Sequence, residues 1–244
     1  MWTYPRVLAH RGAGRLAPEN TLAAMRCALS YGFHAVEFDV MALKSGELVL
    51  MHDAELGRTV PGHGMVVDFS AAELRRMDAG SWLGAQFAGE PVPEFAEVTR
   101  FCVRHAIWMN AEIKPAPGME PETGNLVAQA CKQLPTGSVL LSSFSIEALA
   151  AAQQVAPEIP RALLVEHVPT DWQQRLSKLH ASALHVNASL IDAKTVATVR
   201  QAGYGLFCYT VNDPDDAKRL LSYGVDAFCT DRLDLIPADF GVDN

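Results

Sequence analysis

Short runs of β-branched and apolar residues alternate with longer stretches of helical periodicity along nearly the whole chain. The runs that read as strands are Val7–His10, Ala35–Val40, Ile107–Glu112, Ser138–Ser142, Arg161–Leu164, Ala183–Val186, Gly205–Thr210 and Asp226–Thr230. Helical patterns between them cover Asn20–Tyr31, Glu122–Gln133, Ser145–Ala156, Asp171–Leu179, Asp192–Ala202 and Pro214–Tyr223. Eight strands with intervening helices in 244 residues predict an α/β chain folded as a (β/α)8 barrel, with a doubly wound open sheet as the competing arrangement. Asn20 is expected to cap the first helix, and Asp213-Pro214 reads as a cap followed by a first-turn proline.

One segment breaks the rhythm. Glu47–Met51 is strand-like, yet only Lys44-Ser45-Gly46 separates it from the strand before. A parallel crossover needs roughly a dozen residues or more, so the return is an antiparallel hairpin. A two-residue turn at Ser45-Gly46 would pair Lys44 with Glu47 and, counting down, Asp39 with His52. Residues 53–93 then fit neither a strand nor a simple connecting helix; they are rich in glycine and carry one helix signal, the capping box Ser70-Ala-Ala-Glu73. The expectation is one domain over residues 1–244 with 53–93 as an insertion, of a length that usually marks a functional segment or a lid.

Composition narrows the function. At 49% hydrophobic and 20% charged the chain can bury a full core by itself. A net charge of −8, with a pI near 5.4, argues against a general nucleic-acid binder but leaves room for a local basic pocket. No apolar run is long enough to span a membrane, so no stable membrane insertion is expected. The start, "MWTYPRVLAHRG", has no basic region followed by a long apolar stretch, and chemistry beginning at His10 leaves no room for a removable leader. Five cysteines, odd in number and without a CxxC, read as unpaired thiols suited to a reducing cytoplasm. No motif specifies an oligomeric state.

Glu37 and Asp39 are two apart in a strand, so both point to one face, and they lie near its C-terminal end, where barrel enzymes carry catalytic groups. Two close carboxylates repel, and a divalent cation is a common remedy; oxygen donors suit Mg2+, Ca2+ or Mn2+. A solvated pair, or one acid held by an arginine, is the plain alternative. Glu112 ends another strand and could supply a third carboxylate, with Lys114 projecting the same way toward an anion. "AHRG" sets His10, a proton-transfer group near neutrality, beside Arg11, which can fork onto a phosphate, and the hairpin brings back His52. Each of these alone has an ordinary structural explanation. Together, two histidines, three acids, an arginine and a lysine, nearly all at strand C-termini, make chance the weaker explanation and point to a functional site.

These motifs resemble the glycerophosphodiester phosphodiesterase family: "AHRG" (9–12), "APENT" (17–21), "EFDV" (37–40), "MHD" (51–53), "EIK" (112–114), "YTVN" (209–212) and "TD" (230–231), spread over essentially the entire chain. Within the family the chain looks most like the bacterial cytosolic members, through residues 78–95 and 140–164. The resemblance implies a TIM barrel of the phosphatidylinositol-phosphodiesterase type with a small insertion. It also implies one divalent cation, Mg2+ or Ca2+ with Mn2+ possible, on Glu37, Asp39 and Glu112. It makes His10 and His52 the acid and base, gives Arg11 the phosphate, and sets Tyr209 against the glycerol. The substrate would be a small glycerophosphodiester, cleaved to sn-glycerol 3-phosphate and an alcohol. Water could attack directly, or the glycerol 2-hydroxyl could attack first to give a cyclic phosphate, and the order of the two histidines stays open. The rivals are a lysophospholipase D acting on longer lipids and a non-catalytic metabolite-binding barrel. Among weaker candidates, Glu19, Asn20 and Asp231 could support the site, while Phe144 and His185 read as core packing. His63 could reach the substrate from the insertion; His34, His105, His167 and His180 read as surface or packing residues.

Overall fold

The computed structural model describes residues 2–242. Eight parallel strands, β1 (Val7–Ala9), β2 (Ala35–Ala42), β4 (Trp108–Ile113), β5 (Val139–Ser143), β6 (Arg161–Val165), β7 (Ala183–Asn187), β8 (Gly205–Tyr209) and β9 (Ala227–Thr230), follow one another around a ring. Ala9 pairs with both Val36 and Thr230, which closes it. The expected (β/α)8 barrel is therefore the observed fold, and the open sheet is excluded. β2 is buried along its full length, as a strand must be when helices cover one face and barrel side chains fill the other. Alternation along β4 sends Met109, Ala111 and Ile113 outward into the helix-facing core and Trp108, Asn110 and Glu112 toward the axis. At the lower end Tyr4 stacks on Trp108 with ring centroids 4.9 Å apart, and Trp2 packs 5.9 Å from Phe207.

The outer layer comprises α1 (Leu22–Ser30), α3 (Phe95–Arg104), α4 (Glu120–Cys131), α5 (Ile146–Val155), α6 (Trp172–Lys178), α7 (Ala193–Gln201) and α8 (Pro214–Tyr223). Asp213 caps α8 as expected, its side chain accepting from the Asp215 N–H with Pro214 at the first position. The cap of α1 is Thr21 rather than Asn20: the Thr21 hydroxyl accepts from the Ala24 N–H at 3.2 Å, and Asn20 is held at φ 59 for another purpose. Helix α3 has no counterpart in the sequence reading, although its buried residues Phe95, Val98, Thr99 and Cys102 follow helical spacing. The preceding insertion obscured the strand–helix rhythm that would have revealed it.

β3 (Leu48–Leu50) returns antiparallel to β2, as required by the short connection. The register differs by one residue: Val40 faces Leu50 and Leu43 pairs with Glu47, so Asp39 lies opposite Met51 and not His52. The loop has three residues, Lys44-Ser45-Gly46, and ends on Gly46 at φ 87, the left-handed residue that completes a type I turn with a bulge. After Leu50 the chain leaves the strand, and this bend, not strand pairing, carries His52 to the barrel mouth. In residues 53–93 the capping box forms α2 (Ala71–Leu74), with Ser70 and Glu73 satisfying each other. Leu56, Val66, Leu74 and Val92 bury a separate apolar cluster against Met41 and Val49 of the hairpin. All five cysteines are unpaired, as expected.

Candidate active site

At the C-terminal mouth, strand register does the first step of assembly. Asp39 is paired with Glu112, and Glu37 sits one inward position below on β2. Oxygens of Glu37, Asp39 and Glu112 come within 4.8 Å of one another, with all three residues buried. Burial and the charge of Asp39 push the Glu112 carboxyl up to about 8, and the same causes raise Glu37. Burial acts on Asp39 as well, but Lys114 and Arg11 hold it below the usual carboxylate range. Lys114 Nζ donates to Glu112 at 3.0 Å and lies 3.6 Å from Asp39. Asn20 fixes Asp39 from behind: its Nδ2 donates to Asp39 Oδ2 at 2.8 Å while its Oδ1 accepts from the Asp39 N–H at 3.0 Å. An all-oxygen, buried, converging donor set of this kind fits a hard divalent cation.

Two histidine–carboxylate dyads stand beside the acids. His10 Nδ1 lies 2.6 Å from Asp231 Oδ1, and an ionised carboxylate can only accept, so Nδ1 carries the proton and Nε2, 3.8 Å from Glu37, faces the cluster. Burial pulls the His10 imidazole down, but the Asp231 hydrogen bond and the charges of Glu37 and Asp231 outweigh it and leave it raised. Asp231 is itself held at both ends by Asn212, which donates to its Oδ2 at 2.9 Å and accepts its N–H at 2.8 Å. The first loop can approach it because residue 14 is glycine at φ 56; a Cβ there would fall 2.1 Å from the Asp231 Cα. His52 Nδ1 lies 2.6 Å from Asp53 Oδ1. Burial, with Arg11 and Lys114 nearby, lowers the His52 imidazole despite Asp39 and Asp53.

Arg11 adopts φ 49, which turns its N–H onto Glu37 Oε2 at 3.0 Å. Its guanidinium donates to Glu19 at 2.8 Å and leaves a buried Nε without a hydrogen bond, 3.6 Å from Asp39. Arg58 of the insertion forks onto both Glu19 oxygens at 2.7 and 2.8 Å and also reaches Asp53, tying the two dyad regions together. The Tyr209 hydroxyl donates to the Val165 carbonyl at 2.9 Å, and its ring meets Phe144 edge-on at 5.8 Å.

His10, Arg11, Glu37, Asp39, His52, Glu112, Lys114 and Tyr209 all line a single cavity of about 190 Å³. Phe144 lines it too and is 47% exposed, so it is a wall of the mouth and not a core residue. His185 is fully buried against Phe207, in keeping with a packing residue, but it also lines the cavity. His63 is exposed on the insertion and does not line the cavity. Sequence reasoning gave no individual role to Asp53 and Asn212, though both lie in the quoted motifs, and missed Arg58. Asp53 was signalled by its adjacency to His52; nothing local marked Arg58.

The model of the glycerophosphoryl diester phosphodiesterase family matches residues 10–235, nearly the whole barrel. The chain belongs to that family. A glycerophosphodiester phosphodiesterase of Caldanaerobacter subterraneus is 34% identical over 227 residues, covering 92% of this chain and 93% of the relative. One from Bacillus subtilis is 32% identical over 248 residues, covering 93% and 84%. Among solved structures, a phosphodiesterase of Oleispira antarctica in complex with the product sn-glycerol-3-phosphate superposes with a TM-score of 0.91 at 37% identity, over 97% of this chain and 95% of that one. The expected enzyme class, glycerophosphodiester phosphodiesterase, is thereby borne out. Among the described residues, no helix is long and apolar enough to cross a membrane.

Proposed function

We propose that this chain hydrolyses small glycerophosphodiesters to sn-glycerol 3-phosphate and an alcohol, with one divalent cation on Glu37, Asp39 and Glu112 and proton transfer by His10 and His52. The observation that carries this reading is the convergence of three buried carboxylates between two histidine–carboxylate dyads at one barrel mouth. When bound, a cation, Mg2+ or Ca2+ with Mn2+ as a third candidate, supplies a Lewis acid for a phosphoryl oxygen. Arg11 and Lys114 stabilise the negative charge that grows on the phosphoryl oxygens, Arg11 through the Nε that the protein leaves without a hydrogen bond. His10, with Nδ1 fixed by Asp231, presents Nε2 beside Glu37 as one proton-transfer group. His52, fixed by Asp53, is the other: one of the pair takes the proton of the attacking hydroxyl and the other returns a proton to the departing alkoxide. Tyr209 and Phe144 offer the glycerol an aromatic wall.

Residues 1–244 would act as one catalytic domain, with 53–93 as an insertion that contributes Arg58 to the mouth. Unpaired thiols support a reducing cytoplasmic setting, and a net charge of −8 opposes a nucleic-acid partner. The test is release of glycerol 3-phosphate from glycerophosphocholine by metal-stripped protein, with Mg2+, Ca2+ or Mn2+ restored separately. His10→Ala and Glu37→Ala run beside it. Metal-dependent release that falls by at least a thousandfold in both variants is expected. Equal release without metal, or preferred release of choline from lysophosphatidylcholine, would overturn the reading.

A further inference from the structure

Beneath the carboxylates, the cavity floor contains polar side chains that the chemistry above does not use. Asn110 Oδ1, Ser142 Oγ and both ring nitrogens of His185 are buried without a hydrogen-bond partner in the protein. These residues are 2%, 0% and 0% exposed, and all three line the same cavity as the acids. They come from β4, β5 and β7, so they are not one local accident but three sides of the barrel directed at its axis. An unsatisfied buried polar atom costs about 1–3 kcal/mol, and buried polar groups in folded proteins almost always find partners. Packing alone would be served better by leucine or phenylalanine at each position.

The chemistry of this floor is specific. Burial holds His185 at about 3, so its imidazole is neutral at physiological pH and offers one donor and one acceptor. Ser142 can donate and accept, and Asn110 Oδ1 accepts. Arg11 and Lys114 are already engaged with carboxylates, and the charges beside the three are negative: Glu37 is the register partner of Asn110 and Glu112 that of Ser142. Beside those carboxylates a phosphate is disfavoured, and the unpaired groups suit an uncharged hydroxyl, which needs an acceptor for its proton and a donor for its oxygen. Phe207 and Leu164 line the same cavity, and its volume of about 190 Å³ has room for a three-carbon polyol.

We propose that Asn110, Ser142 and His185 form a hydroxyl-recognising subsite for the terminal hydroxymethyl group of the glycerol arm, and so discriminate glycerol esters from those of simpler diols. The proposal rests on the phosphodiesterase reading above and names how that site selects its substrate. Selection of this kind is stringent when a site is built around a hydroxyl, because an analogue lacking the group leaves the buried partners unpaired.

The test compares glycerophosphocholine with the phosphocholine ester of 1,2-propanediol, which keeps the 2-hydroxyl and lacks the terminal one. Wild type should favour the glycerol ester in kcat/KM by at least a hundredfold. Ser142→Ala and His185→Leu should shrink that preference to within tenfold, chiefly by loss on the glycerol ester. Equilibrium binding of sn-glycerol 3-phosphate, against propanediol phosphate as the control, should narrow in parallel, a readout that requires no turnover. Ser142→Ala removes an atom without a protein partner, so its folding is secure even if His185→Leu misfolds. A wild type that handles both esters alike, or variants that slow both equally, would overturn the subsite while leaving the phosphodiesterase reading intact. Inactivity of wild type on both esters with every cation would sink that reading instead, and propanediol phosphate binding as tightly as glycerol 3-phosphate would still refute the subsite.

Discussion

Removing the cation should leave a protein whose weakness is pH-dependent in a calculable way. Glu112 has an ordinary value of 4.5 and is pushed to about 8 when folded. The folded protein therefore binds this proton more tightly than the unfolded chain, so the metal-stripped form is best off below about pH 4.5 and loses stability as pH rises toward 8. At about 1.36 kcal/mol per pH unit, the full loss is roughly 5 kcal/mol, of which roughly 3 has accrued by pH 7. A cation on the cluster must displace that proton, so its affinity should rise by up to tenfold per pH unit over the same range. Between pH 5.5 and 7.5 this makes about a hundredfold in affinity, or roughly 3 kcal/mol of added stabilisation with free metal held well above Kd at both pH values. For a chain of this size that is on the order of 5–10 °C in Tm. The assay is thermal melting with and without Mg2+ or Ca2+ across the range, with calorimetry in two buffers to count protons released. Glu112→Gln, which has no proton to lose, should flatten the dependence. Affinity that stays constant from pH 5.5 to 7.5 in wild type, with no proton release, would refute the placement of the cation among these carboxylates.

Other perturbations separate the supporting residues. Asp231→Asn leaves shape but reverses what His10 Nδ1 meets; kcat should fall by about 10³–10⁴ with little change in KM, as for a misoriented proton-transfer group. Because His10 is raised and Asp231 lowered by their contact, their mutual stabilisation is present above the usual Asp range, below the usual histidine range, and fades as pH rises through the folded His10 value. Urea melts of the metal-stripped variant at pH 5 and pH 9 should therefore differ from wild type more at pH 5. Asn20→Leu should weaken cation binding by about 10–100-fold in direct titration, since the clamp on Asp39 is lost while Thr21 still caps α1. Gly14→Ala should cost at least about 2 kcal/mol, measured by denaturant unfolding, because its methyl would collide with the Asp231 backbone. Unchanged stability there would mean that the first loop can retreat from β9.

Sequence patterning reached furthest where the signal was short and periodic. Alternation in β2 delivers Glu37 and Asp39 to one face however the rest of the chain folds, and the parallel register then sets Glu112 beside Asp39. Helix and strand rhythm predicted the barrel for the same reason. What stayed hidden depends on loops, where backbone conformation rather than periodicity decides. Asn20 has the composition of a helix cap, and nothing in its neighbours says that Thr21 will do that work at φ −122 while Asn20 turns to φ 59 and faces Asp39. Arg58 is one charged residue in an insertion of irregular chain, so its fork onto Glu19 exists only in three dimensions.

The hairpin explains why such an error need not be fatal to a site. A one-residue slip inverts every side chain on a strand, and with the observed register Asp39 faces Met51, whose side chain belongs to the insertion's apolar cluster. A strand continued through His52 would not deliver the imidazole by direct pairing with Asp39. The chain instead stops pairing after Leu50, and Asp53 and Arg58 hold the freed His52 segment at the mouth. The acids are thus positioned by the rigid barrel and His52 by a bent, ion-paired loop. His10 lies on the other side, in the short turn that follows β1, braced from β9 by Asp231. The two histidines consequently answer to different parts of the fold: loosening the insertion should disturb His52 alone, whereas damage to the first loop should disturb His10 and, through the Arg11 N–H on Glu37, the carboxylate cluster with it.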